Sequence, residues 1–336
     1  MHLARVSAMM PPPADPEPWL LPPPATASAA DILACFRLIL GRNPNREEWS
    51  GHSARAGEPL PNVVASYVNS LEFSRRGLLQ QDLQGGVVET ELPDFRIYSA
   101  GDDAAVGRPV RAGAYEPEVT AVFHRLLKPG MGVIDIGANI GYFTMVSAAL
   151  VGPRGHVLAI EPNPRNARLL EASRRANGFA QVTLAQVAAG AEVGLLVLHA
   201  THSNGTTSTP SDRLADLLGA ETVACVRADS LVAPDRRVDL IKLDVEGAEF
   251  KALQGCAAIL DRWRPALISE FSPDMMQGIS GVDGPTYLRH ILARGYTLAV
   301  IQPDGTLQDC GTGWPAVMDA YQRRGTDHID ILATPA

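Results

Sequence analysis

Residues Gly130 to Thr144 read GMGVIDIGANIGYFT. Val133, Ile134 and Ile136 make the short apolar run of a parallel strand buried on both faces, and the chain then turns through Gly137 and Gly141 into a helix. Glycine at these two positions lets the backbone bend sharply and approach a ligand closely. Asp135 falls at the end of the strand as a buried acceptor. The spacing is close to a dinucleotide-binding turn, except that Asn139 stands where a second glycine would let a pyrophosphate touch bare backbone. An acid at the strand end and a polar side chain inside the turn suit a zwitterionic ligand better. The competing reading is a tight turn in some other α/β domain.

Two further segments extend this reading. HVLAIEPNPRN, His156 to Asn166, is a second apolar strand ending at Glu161, twenty positions after Gly141. In doubly wound folds an acid at that distance accepts hydrogen bonds from ribose hydroxyls; the alternative is a solvated glutamate before a proline turn. VDLIKLDVEGAEFKALQG, Val238 to Gly255, is a strand ending at Asp244 and a helix starting near Glu246. Ligands of open α/β sheets bind outside the carboxyl ends of the strands, so Asp244, Glu246 and Lys242 are expected to face the same pocket as Asp135 and Glu161. Glu249, in the first helical turn, offsets the helix dipole.

The ordered set GAYEPE (113–118), DIGANIGYFT (135–144), AIEPNP (159–164), SNGTTS (203–208), ADSL (228–231), IKLDVEGAE (241–249) and RPALISEF (264–271) resembles the FkbM-type S-adenosylmethionine-dependent methyltransferases, from about Val87 to the carboxyl terminus. The resemblance implies a seven-stranded Rossmann-like α/β fold, strand order 3-2-1-4-5-7-6 with the last strand antiparallel, and methyl transfer from S-adenosylmethionine, usually to a hydroxyl oxygen. It places Tyr115 and Glu116 at the cofactor, the glutamate over the methionine end, where a carboxylate can pair with the ammonium group. It also places an adenine contact near Gln186, where many relatives carry asparagine. The cofactor set is thus Tyr115, Glu116, Asp135, Gly137, Asn139, Gly141, Glu161, Gln186 and Asp244.

The chain has 336 residues, 46% of them hydrophobic and 20% charged, a formal net charge of -8 and a pI near 5.5. That acidic balance gives no electrostatic footprint for nucleic acid. Cys35, Cys225, Cys256 and Cys310 show neither metal-ligand spacing nor a disulfide framework, and are expected reduced and mostly buried. No apolar run is long enough to span a bilayer or to serve as a signal peptide, so the expected location is the cytoplasm.

Residues 1–30, with PPPADPEPW and LLPPPATASAA, are expected to be a disordered or extended tail. From Asp31 to about residue 84 the pattern is helical: a first stripe of Ile32, Leu33, Phe36, Leu38, Ile39 and Leu40 stops at Gly41, a second helix runs from Glu47 to Ala56, and a third from Pro61 to Glu72. FRLILGRNPNREEW with VNSLEFSRR resembles the phycobilisome-linker-like DUF4214 modules over about fifty residues. This implies a module that binds a protein partner or presents substrate; the alternative is a cap on the catalytic domain, residues 85–336. Self-association of the chain is a further expectation. VVETELPDFRIYSAGDD alternates like a hairpin, and YTLAVIQPDG and HIDILATP read as two final strands joined by a loop.

A hydroxyl acceptor needs a base to take its proton as the oxygen attacks. The candidates are Asp244 and Glu270 at neighbouring strand ends, and His199 or His202 before a Gly, Ser and Thr-rich loop that would fold over the pocket. Of these, Asp244, Glu270 and His202 form the expected catalytic set. Asp244, Glu246 and Glu270 would alternatively suit a magnesium ion orienting vicinal hydroxyls, but no metal is expected. The acceptor is expected to be a small molecule or glycan. Two other classes compete with an O-methyltransferase: a nicotinamide-linked oxidoreductase, and a silent Rossmann scaffold whose helical module binds a partner.

Overall fold

The computed structural model describes residues 25–75, 86–201, 204–210 and 221–336. The chain divides into two units, Met1–Asp82 and Leu83–Ala336.

In the first unit, Ser28 caps the helix Ala29–Ala34 in a reciprocal box with Asp31, and the helix runs on into a single π-turn, Cys35–Ile39. Asn45 and Glu48 form the same box at the start of Arg46–Ser53. The expected third helix is two: Leu60–Val68, then Leu71–Arg75, whose start is marked by the Ser70 hydroxyl accepting the Phe73 N–H at 3.1 Å. Ile32, Phe36, Val63, Tyr67 and Phe73 make its core. Leu38, assigned to the first apolar stripe, is instead 85% exposed, because the π-turn carries its side chain off the buried face.

The second unit opens with an antiparallel hairpin, β1 (Val87–Glu91) and β2 (Arg96–Ala100), as the alternation suggests. Its central sheet comprises β3 (Gly132–Ile136), β4 (His156–Ile160), β5 (Val182–Ala185), β10 (Leu240–Leu243), β11 (Ala266–Phe271), β12 (Tyr296–Ile301), β13 (Leu307–Gly311) and β14 (Ile329–Pro335). The spatial order is β13-β12-β14-β11-β10-β3-β4-β5. β10 and β11 continue the parallel run of β3 to β5, and β14 lies antiparallel between β11 and β12. Seven of these strands follow the expected order, and β13 adds an eighth at the edge. β13 and the helix Trp314–Arg324 occupy what reads in sequence as a plain loop.

A second sheet was not foreseen. β6 (Ala188–Ala189), β7 (Gly194–Thr201), β8 (Asn204–Ser208) and β9 (Thr222–Val226) pair in the order β6-β9-β7-β8. The Gly, Ser and Thr-rich segment is therefore largely strand: threonine's branched side chains suit a pleated surface, and β7 offers it a ladder from Val197↔Ser208 to Thr201↔Asn204.

Apolar side chains cover both faces of the central sheet, Ile134, Ile136, Leu243 and Phe271 on one and Val133, Val157, Leu240 and Ile268 on the other. Alternate residues of one strand thus serve opposite cores, leaving only the strand ends for polar chemistry. Cys35, Cys225 and Cys256 are buried and Cys310 half-buried, all as free thiols. Among the described residues no helix is long and apolar enough to cross a membrane.

Candidate active site

A cavity of about 290 Å³ lies at the carboxyl ends of the parallel strands. Its geometry begins at Gly137, which has φ +83°: a Cβ there would sit 1.7 Å from the Asp244 carbonyl oxygen, so only glycine lets the ends of β3 and β10 converge. Gly141, with φ +94°, begins the helix Tyr142–Val151 and is forced by packing rather than by a ligand, since its Cβ would meet Leu170 Cγ at 2.6 Å. It does not line the cavity, a correction to its expected cofactor role.

Asn139 adopts the left-handed conformation, φ +51°, which asparagine tolerates better than most residues. Its N–H donates to Glu161 Oε2 and the Asn163 N–H to Glu161 Oε1, each at 2.8 Å. The strand-end acid thus ties the turn after β3 to the turn after β4. Burial raises Glu161 to about 7 against the pull of these two N–H groups. Each carboxylate oxygen still has acceptor capacity toward the cavity that Glu161 lines.

Asp135 lies deeper than expected. It is 1% exposed, accepts the Thr144 hydroxyl at 2.6 Å, and is raised by burial. It borders a small cleft with Lys242, Phe143 and Asp244 rather than the main cavity. The ammonium of Lys242 donates to Asp244 Oδ2 at 2.6 Å and lies 4.7 Å from the Phe143 ring centroid. Burial alone would lower Lys242, but the charges of Asp244, Glu116 and Asp135 outweigh it and hold the ammonium form.

Tyr115 packs edge-on against Tyr142 at 5.2 Å, and burial raises its phenol. Glu116 follows in the left-handed conformation at the head of the helix Pro117–Leu126; burial carries it up to about 8, Lys242 pulling it down while Asp244 and Asp330 push it further up. Glu270 is raised to about 11, first by burial and then by Asp244. Glu246 is raised by burial and Asp244. Glu249 is structural, accepting the N–H groups of Val245 at 2.9 Å and Gly247 at 3.1 Å.

Of the residues singled out in sequence, the cavity gathers Tyr115, Glu116, Gly137, Asn139, Glu161, Asp244, Glu246 and Glu270. Gln186 is not among them: it is exposed beyond the end of β5, and Ala188 and Ala189 line the wall instead. His199 is exposed too, its ring bonded to Ser208 Oγ at 2.7 Å across the β7–β8 ladder. His202 lies outside the described residues. Asp244, Glu246 and Glu270 share the cavity, yet among the described residues no three His, Cys, Asp or Glu side chains gather as a cation site. Sequence reasoning missed Leu198, Gly205 and Thr207 on the second sheet, Ser272 after β11, and Asp327 with His328 before β14. The only local signal for the last two was their place at a strand end.

Residues 135–298, from the acid of the glycine turn to the start of β12, match the model of the Methyltransferase FkbM domain. This segment is a methyltransferase FkbM domain. The FkbM segment contains the glycine turn, Glu161, Asp244 and Glu270, while Tyr115, Glu116, Asp327 and His328 reach the cavity from outside it. Short stretches resemble the protein-L-isoaspartate O-methyltransferase of Methanothrix thermoacetophila, 45% identical over 49 residues, 15% of this chain and 22% of that protein. Another resembles the ribosomal RNA large subunit methyltransferase E of Coxiella burnetii, 43% identical over 63 residues, 19% of this chain and 29% of that protein. The chain thus spans under a third of the length of these curated relatives. The crystal structure of the methyltransferase FkbM from Methylobacillus flagellatus KT aligns with 91% of this chain and 60% of its own, at 15% identity and a TM-score of 0.40. That of the Bacillus cereus O-methyltransferase in complex with SAH aligns with 68% of this chain and 88% of its own, at 14% identity and a TM-score of 0.39.

Proposed function

We propose that this chain transfers a methyl group from S-adenosylmethionine to a hydroxyl oxygen of an uncharged, hydroxyl-bearing small molecule or glycan. The observation that carries the reading is the acidic, lysine- and arginine-free lining of the cavity, whose ionised forms a cationic ligand favours. Among the described residues its lining includes Glu116, Glu161, Asp244, Glu246, Glu270 and Asp327, and neither lysine nor arginine. A cofactor bearing a sulfonium and an ammonium group fits this donor set, with Glu161, the strand-end acid, read as the acceptor of ribose hydroxyls and Glu116 and Asp244 as partners of the methionine end. The pyrophosphate of a nicotinamide dinucleotide would meet the same carboxylates without a cation, which weighs against the oxidoreductase reading. Phosphorylated acceptors are disfavoured on the same ground.

When bound, the cofactor supplies a methyl group already activated on sulfur. The protein is left to align, to exclude water and to move one proton. Alignment of the reacting atoms is worth about 7–11 kcal/mol in well-oriented systems, and here it falls to a turn that Gly137 lets pack against the Asp244 backbone and that the Asn139–Glu161 bond holds. Transfer to oxygen is supported by the carboxyl and imidazole groups of the lining, residue types that serve as general bases.

The test is isothermal titration of the full chain with S-adenosylmethionine, S-adenosylhomocysteine and NADH. Binding of the first two but not the third is expected. Binding of NADH alone would overturn the reading in favour of an oxidoreductase, and binding of none would favour a scaffold.

A further inference from the structure

The proton acceptor of a hydroxyl-methylating site should lie in the cavity, carry a free lone pair and be held still. Asp244 is engaged by Lys242 at 2.6 Å. Glu270 faces Asp330 directly across the β11–β14 pair, and burial with neighbouring carboxylates keeps it protonated, so it enters the cavity as a donor. The segment just before β14 is different. Ile329 pairs with Phe271, which sets residues 327 and 328 beside the end of β11. The hydroxyl of Ser272, 2% exposed, donates to the Asp327 carbonyl at 2.8 Å, and that of Thr326 donates to the His328 carbonyl at 2.6 Å. The backbone that bears the imidazole is thereby pinned to the sheet. His328 Nδ1 lies 2.9 Å from Asp327 Oδ1. A carboxylate accepts, so Nδ1 carries the proton and Nε2 keeps its lone pair. Both residues line the cavity with Asp244 and Glu270, the Asp327 carboxylate standing largely in solvent, and His328 is its one histidine among the described residues.

We infer that His328 is the general base of this site and that Asp327 is its positioning residue, an arrangement that rests on the methyltransferase reading above. As the acceptor oxygen forms its bond to the methyl carbon and the carbon–sulfur bond breaks, the hydroxyl proton passes to His328 Nε2, leaving an ether, a thioether and an imidazolium. The sulfonium charge that disappears from sulfur reappears on the ring, so net charge in the cavity is unchanged. The charged and titratable groups facing His328 are Asp327, Glu246 and Asp330; the imidazolium formed in the transfer would favour the ionised forms of the last two. The ring is 46% exposed, so the proton can leave to solvent once product departs.

The test uses the full chain with S-adenosylhomocysteine as the probe, imidazole nitrogen NMR as one readout and isothermal titration in the same buffer as another. The expected result is an Nδ1–H tautomer at His328 that becomes mixed in Asp327→Asn, and ring signals that move when the probe binds. In turnover of labelled donor with polyols, sugars and phenols, His328→Ala should lower kcat by about 10²–10⁴-fold, leave probe affinity unchanged and regain activity with added imidazole. Asp327→Asn should lower kcat with KM unchanged. An Nε2–H tautomer, ring signals unmoved by a probe that titration shows to be bound, or a His328→Ala variant with unchanged kcat would each overturn the inference. Absence of probe binding would instead count against the methyltransferase reading.

Discussion

Glu270 on β11 and Asp330 on β14 are directly paired residues of an antiparallel ladder, so their carboxyl groups share one face of the sheet, and Glu270 lines the cavity. Directly opposed like charges in a poorly hydrated place cannot both ionise cheaply. Asp330 is raised to about 6 and Glu270 further, each by burial first. The pair retains a proton at neutral pH.

Replacing Glu270 by Gln should therefore stabilise the protein under alkaline conditions. An acid whose folded pKa is raised contributes stability that is complete below its unfolded pKa and is lost as pH rises toward the folded value. Glu270→Gln keeps the neutral shape and removes this loss, so its urea midpoint should exceed that of the wild type by the equivalent of about 1–3 kcal/mol near pH 8.5 and match it near pH 4.5. Equal midpoints at both ends would show that the pair holds no proton.

The same sign applies to the whole site. Asp330 at about 6, Glu161 and Glu249 at about 7 and Glu116 at about 8 all lie above ordinary carboxylates. Their joint contribution is complete below about pH 4 and is lost through pH 6 to 8. Thermal unfolding of the free protein should accordingly come at lower temperature at the upper end of that window than at its lower end. A cationic ligand should counter that loss, since its charge favours the carboxylate forms.

Lys242→Met should be among the most damaging substitutions of the second unit. Lys242 is 3% exposed and stands among Asp244, Glu116 and Asp135. Removing one member of a buried ion pair typically costs about 3–5 kcal/mol, because the partner charge is left uncompensated. Chemical denaturation should show this loss, smaller at acid pH where the carboxylates can protonate.

The two turn glycines should differ in cost. Gly137→Ala drives a Cβ onto backbone, the Asp244 carbonyl, whereas Gly141→Ala drives it onto the Leu170 side chain. Both carry the penalty of a positive φ, about 1–2 kcal/mol for a residue with a Cβ, but only the second neighbour can yield by rotation. Gly141→Ala should fold with a lowered midpoint and still bind S-adenosylhomocysteine; Gly137→Ala should lose both stability and binding. Equal effects would mean that the β3–β10 convergence is not what the glycine protects.

Glu161→Gln separates folding from cofactor recognition. The amide oxygen can keep one of the two backbone N–H groups of Asn139 and Asn163, so the turn survives at a cost of about 1–3 kcal/mol for the other. Affinity for S-adenosylhomocysteine should fall about tenfold to a hundredfold, two charge-assisted hydrogen bonds being weakened. Calorimetry with unchanged affinity would remove Glu161 from the ribose.

The strand, turn and helix of residues 130–144, the acid at Glu161 and the acid at Asp244 were legible from sequence alone. Each is a local pattern: an apolar run short enough for a buried strand, glycines where the backbone must turn, a carboxylate where the run stops. The parallel order of the core strands followed from the resemblance those motifs carry. What only the tertiary structure decided are contacts between distant segments that leave no local mark. Ser272 and Asp327, which together fix the His328 loop, are 55 positions apart in the chain. Glu270 reads as one more strand-end acid until Asp330 is seen opposite it. Gln186 sits near the expected position, but the chain turns there and gives the wall to Ala188 and Ala189, which β9 holds in place. Periodicity reports which face of an element is buried; only the packing of elements reports which side chains meet, and the chemistry of this cavity depends on the meeting.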